Sequence, residues 1–167
     1  GTLTFNPTET SHTFSVPIVN DPVAEVPETL NIGLGNLTGL AFLGTRTNFT
    51  VQINDDDVSL QFATNNFQVS ESVPNAQITV TRIGATNAAV TIEYSTSDGS
   101  AVAGVDYGSQ NGTLSFGIGE VSKTFSISIN SDNTVETDET VNISLDLPTG
   151  GALKGTPSQA TLTIVND

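Results

Sequence analysis

Gly112-Thr113-Leu114-Ser115-Phe116, followed by Thr124-Phe125-Ser126-Ile127-Ser128-Ile129, places apolar residues at every second position. Successive side chains of a strand point to opposite faces, so this alternation describes strands with one buried and one wet face. It recurs in Val58-Ser59-Leu60-Gln61-Phe62, Gln77-Ile78-Thr79-Val80-Thr81, Val90-Thr91-Ile92-Glu93-Tyr94, Val141-Asn142-Ile143-Ser144-Leu145 and Thr161-Leu162-Thr163-Ile164. No segment of helical length carries a 3.6-residue period, and turn signals such as Asp98-Gly99, Asn111-Gly112 and Thr149-Gly150-Gly151 separate the strands. The pattern predicts an all-β fold: an immunoglobulin-like antiparallel β-sandwich of about seven strands per unit.

The opening stretch also has a near-copy, Gly1-Thr2-Leu3-Thr4-Phe5. The match runs without a gap to Asp56/Asp167 at an offset of 111 (112 minus 1), with about 25 of 56 positions identical. The chain is therefore one and a half copies of a unit of roughly 110 residues. Residues 1–57 are expected to be the C-terminal half of a preceding repeat, and 58–167 a complete repeat. The complete repeat offers strands near 58–63 with 67–71, 76–83, 89–96, 112–117, 122–130, 139–147 and 158–165, whereas residues 1–57 offer only the last four. Four strands with a bare apolar face do not stay alone. That face is expected to be covered by another chain, in a homo-oligomer formed by strand swapping or by packing of two rear halves.

The chain carries 18 acidic against 4 basic residues, a formal charge of −14. Binding to nucleic acid or to an anionic membrane through a basic patch is disfavoured, and cations are the natural partners. Without cysteine, the available metal donors are oxygens, which suit hard ions such as calcium. A lysine-poor, Ser/Thr/Asn-rich chain resembles an extracellular or cell-surface protein, bacterial in style. With no apolar run near 18 residues, no signal peptide and no initiating Met, it reads as a piece of something longer.

The carboxylates gather at the ends of expected strands. In the complete unit these are Glu71, Asp106, Asp132, Glu136, Asp138, Glu139 and Asp167; in the half unit they are Asp21, Glu25, Glu28 and the run Asp55-Asp56-Asp57. Loops between alternate strands of a Greek-key sandwich emerge at one end, where residues distant in sequence converge and a divalent cation relieves their repulsion. The other reading is that turns favour Asp and an acidic rim keeps the protein soluble. Catalysis has little to work with. His12 is the only histidine and its counterpart Lys123 lies on an exposed strand face, so no Ser-His-acid system is expected. Gly33-Leu34-Gly35-Asn36 lies in a strand-turn region rather than opening a helix, which argues against a phosphate loop. The sequons at Asn36, Asn48, Asn111 and Asn142 fit chance in a chain rich in Asn and Thr.

Several segments together resemble the Calx-beta domain. They are Phe67-Gln68-Val69-Ser70-Glu71, the run Thr96-Ser97-Asp98-Gly99-Ser100-Ala101 leading to Gly104-Val105-Asp106-Tyr107, the stretch from Asp132 to Glu139, and Thr161-Leu162-Thr163-Ile164-Val165-Asn166-Asp167. The family is the calcium-binding sandwich of sodium–calcium exchanger regulatory loops, integrin β4 and many bacterial surface proteins. The resemblance implies that Glu71, Asp106, Asp132, Glu136, Glu139 and Asp167 fall on calcium-binding positions. It also exposes departures. Ser131-Asp132-Asn133 and Asn166-Asp167 stand where strongly binding members have runs of aspartate, whereas the half unit keeps Asp55-Asp56-Asp57 but has no counterparts of Glu71 and Asp106. The expected function is a non-catalytic calcium-binding module of a larger tandem-repeat, membrane-associated or surface protein, with calcium at Asp55-Asp56-Asp57 stiffening the junction between neighbouring repeats. The alternatives are an adhesion module for protein or carbohydrate, marked by an aromatic patch near Tyr94 or Tyr107, and a calcium-free spacer.

Overall fold

Eleven strands, numbered in chain order, make up the computed structural model, which describes residues 1–132 and 135–166. They are β1 (Glu28–Gly33), β2 (Asn48–Ile53), β3 (Val58–Phe62), β4 (Asn66–Ser70), β5 (Asn75–Gly84), β6 (Val90–Asp98), β7 (Asn111–Phe116), β8 (Ser122–Ser128), β9 (Glu139–Thr149), β10 (Leu153–Lys154) and β11 (Gln159–Val165). Residues 58 onward form two facing sheets, ordered β10-β3-β5-β8 and β4-β11-β9-β6-β7. The period-2 residues meet between them: Leu60, Ile78, Val80 and Ile127 from one sheet against Ile92, Ile143, Leu145 and Leu162 from the other, all buried. Arg82 shares the inward side of β5 and is also buried, which lowers its pKa. Its guanidinium donates to the carbonyl of Ala85 at 2.7 Å, and more distantly to that of Gly117 at 3.5 Å.

The all-β sandwich therefore stands, with details that alternation alone does not carry. The first strand splits at Ala63–Asn65, so that β3 joins one sheet and β4 the other. Two pairings are parallel, β10 with β3 and β11 with β4, within an otherwise antiparallel set. At one pole lie Val58, Gly84 to Ala89 and Gly117 to Val121. At the other lie Glu71, the segment Asp98 to Asp106, Asn130 to Asp132 and the start of β9.

Residues 1–57 depart from expectation. Of four expected strands only β1 and β2 form, as a two-stranded sheet of their own. The complete unit explains why. β1 and β2 are the counterparts of β9 and β11, which pair with each other, so their partner is present. The segments near 1–5 and 11–18 are the counterparts of β7 and β8, edge strands bonded only to β6 and β5, which have no counterpart within residues 1–57. The turn between them forms all the same. Asn6 N donates to Glu9 Oε2 at 2.7 Å and Glu9 N to Asn6 O at 3.1 Å, matching Gly117 N to Glu120 Oε2 at 2.6 Å and Glu120 N to Gly117 O at 3.2 Å. Thr8 has φ 80° where Gly119 has 79°. His12 pairs with Glu9 as Lys123 pairs with Glu120, in keeping with a surface role.

The repeat offers an internal control of backbone strain. Asn36 and Leu147 occupy equivalent positions and both are left-handed, with φ 54° and 47°. Asn tolerates this region and Leu does not. Leu147 is 66% exposed and loses little burial on replacement. Leu147→Asn is expected to stabilise the protein by about 0.5–1 kcal/mol, read as a higher urea midpoint at unchanged slope; an unchanged or lower midpoint refutes the assignment.

Candidate metal centre

Two chain segments meet at the pole furthest from Val58, the loop after β6 and the stretch leading into β9. Asp106 comes from the loop after β6, Glu136 from the segment before β9, and Glu139 opens β9; one carboxylate oxygen from each lies within 4.8 Å of the others. The loop bearing Asp106 is braced from several directions. Val102 N donates to Asp106 Oδ2 at 2.7 Å, Asn130 N to the Asp106 carbonyl at 2.9 Å, and Asn130 Nδ2 to the Val105 carbonyl at 2.9 Å. Asp98 Oδ1 accepts from Ala103 N at 3.0 Å and from the hydroxyl of the buried Tyr107 at 2.7 Å. Burial, then this hydrogen bond, pushes the Tyr107 phenol up to about 12.

Glu71, Asn130, Thr137, Ile164 and Asn166 complete the walls of the concavity. Glu71 is buried, with Oε1 accepting from Asp132 N at 3.0 Å and Oε2 from Asn166 Nδ2 at 3.1 Å; its side chain thereby bridges the acidic loop and the end of β11. Asp138 Oδ1 accepts from Asn166 N at 3.4 Å. Desolvation raises the pKa of Glu136, helped by the charges of Asp132, Asp106 and Glu71. Desolvation also raises Glu139, followed by the charge of Asp106 and a hydrogen bond shared with it. None of the ion pairs among the described residues reaches Asp106, Glu136 or Glu139. Asp167 lies outside the described residues.

A second acidic group sits where the half unit meets the complete one. Carboxylate oxygens of Asp55, Asp56 and Asp57 lie within 4.8 Å of one another, and Asp21, Glu25, Glu28, Asp55 and Asp56 line a common concavity. The charges of Glu28 and Asp21 raise Glu25, while burial and then Asp55 and Asp56 raise Asp57. Asp55 is held low by backbone donors, first Glu25 N and then Asp57 N. Asp57 ties this group to the neighbouring sandwich, because its carbonyl accepts from Ala85 N at 2.8 Å. That approach requires glycine at 84. Its φ is +85°, and a Cβ there would stand 2.2 Å from the Asp57 carbonyl oxygen.

Those expected residues of the complete unit that the structure describes are thus brought to one pole, and those of the half unit to the junction. Sequence reasoning missed Asn130 and Asn166 as wall residues. Asn166 carried a signal, since its repeat counterpart is Asp55; Asn130 carried none, since its counterpart is Val19. An aromatic platform is not offered by either tyrosine. Tyr107 is fully buried, and Tyr94 is half-buried and stacked on Phe125 with ring centroids 3.9 Å apart.

Fold and pole together define a class: a β-sandwich module whose strand-end loops present an all-oxygen acidic concavity. The chain belongs to the Calx-beta family, whose domain model matches residues 1–57 and 53–167. It is similar to the sodium/calcium exchanger Calx of Drosophila melanogaster, 33% identical over 113 residues, covering 68% of this chain and 12% of that protein. It is also 32% identical over 157 residues to extracellular matrix protein 3 of Lytechinus variegatus, covering 88% of this chain and 5% of that protein. Among solved structures, the apo-form Calx CBD1 domain superposes with TM-score 0.65 at 31% identity, covering 67% of this chain and 99% of that one. The CBD12 structure from CALX1.2 gives 0.64 at 32% identity, covering 65% and 45%. The chain spans only a small part of the exchangers and of the matrix protein.

Proposed function

We propose that the chain is a non-catalytic calcium-binding module of a larger tandem-repeat protein, with residues 58–167 as a complete unit and 1–57 as the rear half of another. One observation carries the reading: Asp106 from one segment and Glu136 with Glu139 from another converge without a cationic partner among the described residues. The donor set fits a hard cation, being oxygen throughout, and desolvation followed by neighbouring like charges raises the pKa values of Glu136 and Glu139. Asp106, Glu136 and Glu139 would hold the ion, with Glu71 and Asp132, and with Asp167 as a further ligand implied by the family resemblance. Calcium would supply the positive charge that this pole lacks. Glu71 acts by joining Asp132 to Asn166, so the acidic loop and β11 are positioned together. The relatives support the reading, since they include sodium/calcium exchangers and a structure described as the calcium binding domain CBD12 of CALX1.1.

Thermal unfolding in chelator, in rising calcium and in magnesium tests this. A ligand at about 100 times its dissociation constant adds roughly 2.7 kcal/mol, worth about 5–10 °C for a chain of this size. A calcium-selective rise is expected; no rise at millimolar calcium would leave the acidic pole as solvation and favour a spacer.

The junction has its own role in this proposal. Asp55, Asp56 and Asp57 repel one another beside the Asp57-to-Ala85 contact, and calcium there would neutralise the joint and stiffen the neighbouring repeats against each other. Small-angle scattering should therefore show a narrower spread of interdomain distances with calcium than with chelator. Identical curves would remove the idea. A surface setting draws support from the matrix-protein relative.

A further inference from the structure

Two charged side chains are buried among the described residues, Glu71 at the acidic pole and Arg82 at the pole that meets the Asp55-Asp56-Asp57 run. Arg82 faces inward near the end of β5, and burial lowers its pKa. None of the ion pairs among the described residues includes it. A buried cation without a carboxylate adds little to stability, and apolar replacement is often harmless. The contribution of Arg82 therefore lies in the groups it holds. Its Nε donates to the Ala85 carbonyl at 2.7 Å, its Nη1 reaches toward the Gly117 carbonyl at 3.5 Å, and its backbone N–H donates to the Val121 carbonyl at 2.9 Å. The turns after β5 and β7 are also joined directly, by Gly119 N donating to the Thr86 carbonyl at 2.9 Å. Ala85 connects this network to the acidic run. Its N–H donates to the Asp57 carbonyl at 2.8 Å, which continues the β3–β5 ladder one rung beyond the Val58–Gly84 pair. The end of a ladder is where strands fray, and this end is gripped from its far side by the guanidinium.

We infer that Arg82 is the positioning residue of the joint: it clamps the turns at 84–86 and 117–121 into one socket, and that socket holds Asp57 and fixes where the Asp55-Asp56-Asp57 run leaves the sandwich. The inference rests on the proposed role of this run as the joint between repeats, and it adds a device that works without calcium. Side-chain chemistry specifies arginine. Lysine keeps the charge and the aliphatic stem but puts a methylene where Nε donates, and methionine keeps the apolar stem alone.

Amide exchange of the full chain in chelator tests this, so that a failure of calcium binding leaves the result intact. In Arg82→Met, the Ala85 and Gly119 amides are expected to exchange at least about tenfold faster than in the parent, through local opening of the socket. The Leu145 and Ala101 amides, bonded to the Ser158 and Thr140 carbonyls away from the socket, are expected to stay within about twofold of the parent. Arg82→Lys is expected to give the same selective change. Unchanged Ala85 exchange in Arg82→Met overturns the inference, and native exchange in Arg82→Lys does so too, because charge alone would then suffice. A rise shared equally by all four amides also overturns it, since Arg82 would then support the sandwich rather than the joint.

Discussion

Glu139→Gln is expected to raise the unfolding midpoint of the calcium-free protein and to remove most of the stabilisation that calcium would bring to the proposed site. The two effects have one cause. Glu139 lies half-buried beside Asp106 and Glu136, and desolvation followed by the Asp106 charge makes its ionised form costly. Glutamine keeps the shape and deletes the charge, so the like-charge repulsion at the pole is relieved; it also deletes a carboxylate ligand of the proposed calcium site. If affinity falls a hundredfold, the gain at a calcium level of 100 native dissociation constants drops from roughly 2.7 to about 0.4 kcal/mol. The pH dependence follows with a definite sign. Because the folded pKa is raised above 4.5, the folded state binds more protons than the unfolded one. That contribution is fully present below the unfolded value and is lost as pH rises through the folded one. The advantage of Gln in chelator is therefore largest near neutrality and absent at about pH 4. Differential scanning calorimetry on both proteins, with and without calcium, decides it. A variant less stable than the parent in chelator would show that Glu139 serves packing rather than the ion.

What the sequence made legible follows from where the physical signal is local. Alternation along β5 and β9 set both the strand type and the inward face, because Ala76, Ile78 and Val80, and likewise Val141, Ile143 and Leu145, share one side of the pleat. The separation of 58–63 from 67–71 was legible, but that β3 and β4 lie in different sheets stayed hidden. Both pieces keep an alternating pattern, and only their parallel partners β10 and β11 decide that they lie in different sheets. The strands expected over residues 1–19 failed for a non-local reason: their composition is right, but a ladder needs a neighbour, and β5 and β6 are present in one copy only. The site was legible as a list of carboxylates but not as a shape. The brace from Asn130 to the Val105 and Asp106 carbonyls, and the Glu71 bridge between Asp132 and Asn166, join residues far apart in sequence with no periodicity to announce them.

The same non-local logic locates the substitution expected to harm both the fold and the site. Gly99 packs against the start of β9, with its N–H on the Thr140 carbonyl at 3.1 Å. A Cβ at Gly99 would stand 2.4 Å from that carbonyl oxygen and 2.5 Å from Thr140 Oγ1, too close for any real side chain. Neither group can swing away cheaply. The carbonyl also accepts from Ala101 N at 3.0 Å, and Thr140 Oγ1 accepts from Ser100 N at 3.1 Å, so relief requires β9 to move away from the loop. Thr140 is preceded by Glu139, and Gly99 is preceded by Asp98, which holds Tyr107 and Ala103. Any displacement therefore separates Glu139 from Asp106. Gly99→Ala is expected to cost about 2–3 kcal/mol, as overpacking of a rigid contact does, and to lower the midpoint by roughly 5–10 °C in chelator. It is also expected to weaken calcium binding, although no carboxylate has been touched. Gly35→Ala supplies the comparison, because a Cβ there meets nothing within 4 Å; its midpoint and calcium response should match the parent. If Gly99→Ala unfolds early yet binds calcium with native affinity, the loop after β6 and the start of β9 move independently, and the pole is not the rigid frame that these contacts describe.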